Sequence, residues 1–155
     1  MWNKKMSVML SIVICFVFSA VLTAALFLGP WAVETWLNAY RGWEIGTQAM
    51  HYMLKLFKLS FYPCAVFAYI TLYSLIKLLF NIKNNQIFIN SNVKYLRRIS
   101  WCCFAVAAIT LVSGVCYIPY LFIAVAAAFV GLMLRVVKNV MQNAVFINEE
   151  NELTI

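Results

Sequence analysis

Long apolar blocks alternate with short polar, basic segments along the chain. The first block runs from Met6 to Leu28 without a charge and meets Gly29-Pro30, a pair that ends helices. A second covers about 59–79, where Lys77 can snorkel toward an interface. After the polar stretch Asn81 to Ser100, apolar character resumes at Trp101 and continues almost to Leu134, too long for one crossing. Ser113-Gly114 and Tyr117-Ile118-Pro119-Tyr120 interrupt it with turn-forming residues and interfacial tyrosines. A hydrocarbon core of roughly 30 Å takes about 20 helical residues. The pattern therefore predicts an all-α integral membrane protein, a four-helix bundle of two hairpins forming a single membrane domain over residues 1–155. Its transmembrane helices fall at about 6–28, 59–79, 99–117 and 119–138. Between and after them lie an outer segment at 29–58, an inner loop at 80–98 and a cytoplasmic tail at 139–155.

Composition agrees with the pattern. Of 155 residues, 65% are hydrophobic and 11% charged, with a mean hydropathy of +0.87. A soluble domain is about 45–50% apolar and about 25% charged, so a soluble monomer is excluded. The +7 charge would suggest nucleic acid in a polar chain, but its placement argues otherwise. Lys4, Lys5, Lys77, Lys83, Lys94, Arg97, Arg98, Arg135 and Lys138 fall on one predicted side, against Arg41, Lys55 and Lys58 on the other. By the positive-inside rule both termini are cytoplasmic, in the plasma (inner) membrane of a cell. The cations then meet the lipid bilayer with its anionic headgroups, and no direct nucleic-acid binding is expected. Lys4-Lys5 before an apolar run resembles a signal peptide, but the run is longer than the 7–15 residues typical of one, and a retained helix is expected.

The outer segment is rich in aromatics: Trp31, Trp36, Tyr40, Trp43 and Tyr52. An interfacial belt accounts for them; a ligand-binding face is the sharper alternative. Gly42 and Gly46 are expected to break the segment into two short helices. The second would start near Thr47 and carry His51, Lys55 and Lys58 on one face. Trp31, Trp36, Trp43, His51, Lys55 and Lys58 thus form a candidate outer ligand face, although a wetted helix surface has the same look.

On the inner side, Asn90 or Ser91 is the expected N-cap of a basic helix running straight into the third span. Val93, Leu96, Ile99 and Cys103 make its apolar stripe, while Lys94, Arg97 and Arg98 face the phosphates. Asn85-Gln86-Ile87-Phe88-Ile89-Asn90 and Asn143-Ala144-Val145-Phe146-Ile147-Asn148 share a pattern that a duplicated hairpin would explain. The tail adds Glu149, Glu150 and Glu152, an acidic cluster free to pair with the basic face or with another protein. Phe88, Asn92, Leu96, Arg97, Glu149, Glu150, Glu152 and Leu153 are the candidate partner-docking residues.

Chemistry is sparse. No ionisable residue occupies the centre of any predicted span, which disfavours an ion-coupled transporter. Ser11, Ser19, Thr23, Ser60, Thr71, Ser74 and Thr110 read as interhelical glue or backbone-bonded hydroxyls. One His, five cysteines without metal spacing, and no glycine-rich phosphate loop leave no catalytic residue, metal or cofactor to expect. An enzyme is not expected. Cys64 and Cys116 fall toward one leaflet, where a disulfide is geometrically open and a pair of small buried hydrophobes is the blander reading. Ala124-xxx-Ala128 and Ala127-xxx-Gly131 offer close-packing seams on the fourth span, and Ala20-xxx-Ala24 and Ser19-xxx-Thr23 on the first. Such seams serve an intramolecular bundle or a homo-oligomer. Pro63 should kink or start the second span, its freed carbonyl turning to Ser60 or a neighbour.

The phrase Ile87-Phe88, then Asn92-Val93, Leu96-Arg97 and Ile99, with the terminal Glu150-Asn151-Glu152-Leu153-Thr154-Ile155, resembles the YoaS-like bacterial membrane proteins. That family is catalogued as a domain of unknown function and is frequent in low-GC Gram-positive bacteria. Asn85-Gln86 replaces the Gly often found before its Phe. The resemblance implies no activity and no catalytic residues; it implies signalling or sequestration beside a small helix-turn-helix regulator. Two functions follow as expectations. One is a non-enzymatic accessory or signalling protein whose cytoplasmic face docks such a regulator. The other is a small oligomeric exporter or immunity protein handling an amphipathic ligand.

Overall fold

The computed structural model describes residues 4–41, 48–115 and 117–153. Four helices follow in order: α1 (Lys4–Arg41), α2 (Gln48–Lys83), α3 (Asn90–Gly114) and α4 (Pro119–Leu153). No strand occurs among the described residues, and all four helices are long and apolar enough to cross a membrane. In lipid only a structure that satisfies its own backbone can span, and uninterrupted helices do so.

The helices are longer than the apolar blocks suggest. α1 does not stop at Gly29-Pro30 but continues to Arg41, and α2 begins at Gln48, so most of segment 29–58 is helix. Pro30 and Pro63 both lie inside helices. Each lacks an N–H and frees one carbonyl, a cost that a membrane helix tolerates better than unravelling in hydrocarbon. The Ser60 hydroxyl reaches back to the carbonyl of Leu56, not to that of Leu59, which Pro63 frees. Gly29 faces the Phe57 and Phe61 rings of α2, where a β-carbon would sit at ordinary contact distance, 3.6 Å from Phe61 and 3.8 Å from Phe57.

The expected bundle is realised as a row. Among the described residues α1 packs on α2, α2 on α3 and α3 on α4, while α1 and α4 share no backbone contact. Neighbours are antiparallel, since Thr23 meets Tyr69, Ser60 meets Ser113, Asn81 meets Asn92, and Ser100 meets Gly131. The α3–α4 seam is the tightest. Ser100 donates to the Gly131 carbonyl at 2.8 Å, and a β-carbon on Gly131 would stand 3.3 Å from Cys103 and from the Phe104 ring. Buried Ala124 continues that seam, whereas Ala20 and Ala24 are exposed. α1 instead buries Ile12, Cys15 and Leu37. Alanine spacing therefore located the α3–α4 seam, while on α1 it is Thr23 of the small-residue spacing that meets α2, at Tyr69.

The end of the molecule holding the α2–α3 connection is closed by a polar clamp. Asn85 adopts φ 59°, a left-handed conformation that Asn tolerates better than most residues. With Asn85 as the first residue beyond the helix, its N–H donates to Ile82 and that of Gln86 to Asn81, which together close α2 in a Schellman motif. Asn92 is wholly buried and fully used. Its amide donates to the carbonyls of Gln86 and Ile87, both at 2.8 Å, and its oxygen accepts from the Asn81 amide at 2.8 Å. This replaces the expected cap: α3 starts at Asn90, its N-cap is Ile89, and no side chain caps it. The basic helix does run on into the span as expected. Val93, Leu96 and Ile99 are buried, and Lys94, Arg97 and Arg98 exposed.

The proposed duplication does not extend to local structure. Residues 85–89 form the connection, whereas residues 143–148 lie inside α4. Ile87 and Val145 correspond in the phrase, yet one is 39% exposed and the other 2%.

Candidate functional site

At the other end, beside the α3–α4 turn, the row of helices encloses a partly open cavity of about 440 Å³. All four helices contribute to its wall. α1 supplies Val33, Trp36 and Leu37. α2 supplies one face of its first four turns, including Phe57, Ser60, Phe61 and Cys64. The α3–α4 turn brings Tyr117 and Tyr120, and among the described residues no charged side chain lines the space.

Local sequence explains the wall. Phe57 and Phe61 are one turn apart, so their rings stack with centroids 5.0 Å apart and planes at 16°. Pro119 opens α4 at a position where its missing N–H costs nothing, which sets Tyr120 in the first turn. The Tyr117 and Tyr120 rings meet edge to face at 5.9 Å and 72°. Ser60 and Ser113 join across α2 and α3. Each hydroxyl also lies within reach of its own helix, Ser60 of the Leu56 carbonyl and Ser113 of the Ile109 carbonyl. Two hydroxyl protons serve three contacts, so one partner must always yield. Thr110, nearby, donates to the carbonyls of Val106 and Ala107. Ser11, Thr23 and Ser74 likewise bond the carbonyl four residues back, as expected of hydroxyls in apolar helices.

Of the candidate outer face, Trp36 alone among the described residues reaches the cavity. Trp31 is exposed away from it, and His51, Lys55 and Lys58 share the exposed side of α2. Trp43 and Cys116 lie outside the described residues, as do the side chains of Glu152 and Leu153. Of the docking set, Asn92 and Leu96 point inward and present nothing to a partner. Phe88, Arg97, Glu149 and Glu150 remain exposed. Glu149 accepts a hydrogen bond from the Asn90 amide at 2.9 Å, so the end of α4 is tied to the start of α3. Among the described residues no three His, Cys, Asp or Glu side chains gather where they could hold a metal ion.

The cavity itself was not legible in the sequence. Phe57-xxx-Phe61-xx-Cys64 reads as one more apolar stripe, and Tyr117 and Tyr120 read as interface markers. What makes them a wall is the tilt and spacing of helices that share no short-range pattern. Ser60 and Ser113 carried the nearest signal, since two hydroxyls at similar depth in adjacent antiparallel spans tend to meet.

No curated protein and no solved structure matches the chain. A family described as a protein of unknown function, DUF2975, matches residues 36–155, from the Trp36 side of the cavity to the last residue. With that match over most of its length, the chain belongs to the DUF2975 family, a multi-pass membrane protein of four helices whose family carries no assigned function.

Proposed function

We propose that the protein is a non-enzymatic component of the bacterial plasma membrane that takes an amphipathic ligand from the bilayer into the cavity between its helices. One observation carries this reading: a space of about 440 Å³, walled by all four helices and, among the described residues, without a charged side chain. Ligand pockets are commonly apolar clefts of about 300–1,000 Å³ with a few convergent polar groups. Here the polar groups are the Ser60–Ser113 pair, Thr110 and the two tyrosines. An apolar tail fits among the rings, with its polar end toward the Trp36 and Tyr117 rim. Export of, or immunity to, a membrane-active amphiphile is the setting that suits such a site. Both termini face the cytoplasm in this proposal, which rests on nine of twelve cations lying at the clamp end of the helices. The YoaS-like grouping within the family belongs to the same proposal.

Binding of a fluorescent fatty-acid analogue to the protein in phosphatidylcholine nanodiscs tests it. Val106→Phe and, separately, Leu56→Phe fill the cavity from different helices. Each should weaken binding at least tenfold, about 1.4 kcal/mol, while far-ultraviolet circular dichroism stays unchanged. Undiminished binding in both variants removes the reading.

A second reading, recruitment of a cytoplasmic regulator, draws on Phe88. It is 49% exposed on a connection that the Asn92 clamp holds in one shape. Phe88→Glu should release a helix-turn-helix regulator from membranes; retention would end that idea.

A further inference from the structure

A second cleft, of about 300 Å³, opens between α3 and α4 toward the clamp end, and it is cationic. Arg97, Ser100 and Trp101 line it from α3; Arg135 and Lys138 line it from α4. Each helix contributes residues three or four positions apart, which is the spacing that sets side chains on one face. The close approach at Gly131, one turn from Arg135, holds the two faces together. The Arg135 guanidinium lies 5.6 Å from the centroid of the Trp101 ring, which orients the cation toward the indole.

Three positive side chains share this cleft, and among the described residues no carboxylate lines it. Glu149, the nearest described acid along α4, stands about 16 Å from Lys138 at ~1.5 Å per residue, and its carboxylate accepts from Asn90. Like charges crowded into one cleft repel unless an anion sits among them. The depth of the cleft points to the source of that anion. Residues 99–114 of α3 and 119–134 of α4 carry no charge, about 24 Å of helix each at ~1.5 Å per residue. Arg97, Arg135 and Lys138 stand just beyond those runs, at the level of the lipid phosphates, beside a tryptophan at interfacial depth.

We infer that this cleft is a binding site for the phosphate group of an anionic glycerophospholipid, held by Arg97, Arg135 and Lys138 with its glycerol end against Trp101. It is independent of the apolar cavity, which lies at the opposite end of the helices.

The full-length protein in nanodiscs tests it. Phosphatidylglycerol replaces phosphatidylcholine stepwise, and the thermal unfolding midpoint is followed. The wild-type midpoint should rise and saturate at a low phosphatidylglycerol fraction. Arg135→Gln with Lys138→Gln should raise the half-saturating fraction at least tenfold, while Lys94→Gln with Arg98→Gln, which removes two cations outside the cleft, leaves it unchanged. The charge-preserving Lys138→Arg should retain saturation, and every variant is compared with its own midpoint in pure phosphatidylcholine. Equal loss in both double variants would mean a diffuse surface attraction and overturn the site. So would saturation undiminished in the cleft variant. Inorganic phosphate at millimolar concentration in pure phosphatidylcholine should not reproduce the shift; if it does, the lipid assignment fails and a soluble anion takes its place.

Discussion

The two ends of this protein solve the same packing problem in opposite ways. At the clamp end, a buried asparagine has every hydrogen-bonding group engaged, and the connection between α2 and α3 admits one arrangement. At the cavity end, aromatic rings and two serines leave about 440 Å³ unfilled, and the hydroxyls have more partners than protons. A buried polar group must be satisfied completely or it costs free energy, so such a site is built closed. An apolar wall carries no such demand, and in lipid its space can be exchanged with acyl chains. The clamp end is fastened by the buried, fully bonded amide of Asn92, and the cavity end is walled mostly by apolar side chains that leave space between them.

Mutations separate the two ends by size of effect. Asn92→Ala strands the Asn81 amide and two carbonyls, and should cost about 2–4 kcal/mol given roughly 1–3 kcal/mol per unsatisfied group and some rescue by water. Denaturation of the detergent-solubilised protein reads this directly. Asn92→Asp should not restore the loss, because a carboxylate accepts from Asn81 but donates nothing to Gln86 or Ile87. Gly131→Val forces a branched side chain toward Cys103 and Phe104, and should cost about 1–3 kcal/mol by the same measurement.

Effects at the cavity end are smaller. Ser60→Ala and Ser113→Ala should each cost less than about 1 kcal/mol, on the scale of side-chain hydrogen bonds between membrane helices, whose measured couplings average about 0.6 kcal/mol. A double-mutant cycle should place their coupling below about 1 kcal/mol, since each retained serine falls back on its own helix carbonyl. A coupling of about 2 kcal/mol or more, as large as the loss expected for Asn92→Ala, would erase the contrast between the ends. The smallest effect belongs to the turn. Asn85→Gly should change stability by less than about 0.5 kcal/mol, because glycine accepts positive φ freely, whereas Asn85→Val should cost about 1–2 kcal/mol.

The sequence made the helices readable and hid their ends. Three apolar blocks, the last divided by the Ser113 to Tyr120 interruption, led directly to four helices and the α3–α4 turn, because hydrocarbon leaves a spanning segment no other choice. Gly29-Pro30 misled, since the pair ends helices in water, whereas in lipid an opened helix would leave its backbone groups unsatisfied and α1 runs on through both. Asn90 and Ser91 are ordinary caps by type, yet the N-cap is Ile89, and the amide of Asn92 instead holds the connection by donating to its Gln86 and Ile87 carbonyls. The cationic cleft was visible only as a charge count. Arg97 and Arg135 are 38 positions apart in sequence, and only the antiparallel seam at Gly131 brings them together. The acidic cluster that looked free to meet another protein gives at least Glu149 to the chain's own Asn90.

Photolabelling with a diazirine-bearing fatty acid in native membranes tests the central assignment most directly. Label should concentrate on peptides containing Phe61 and Tyr120, and should fall there in Val106→Phe. Label spread evenly over lipid-facing residues such as Phe16, Phe18 and Phe27, with no change in the filled variant, would contradict a ligand cavity.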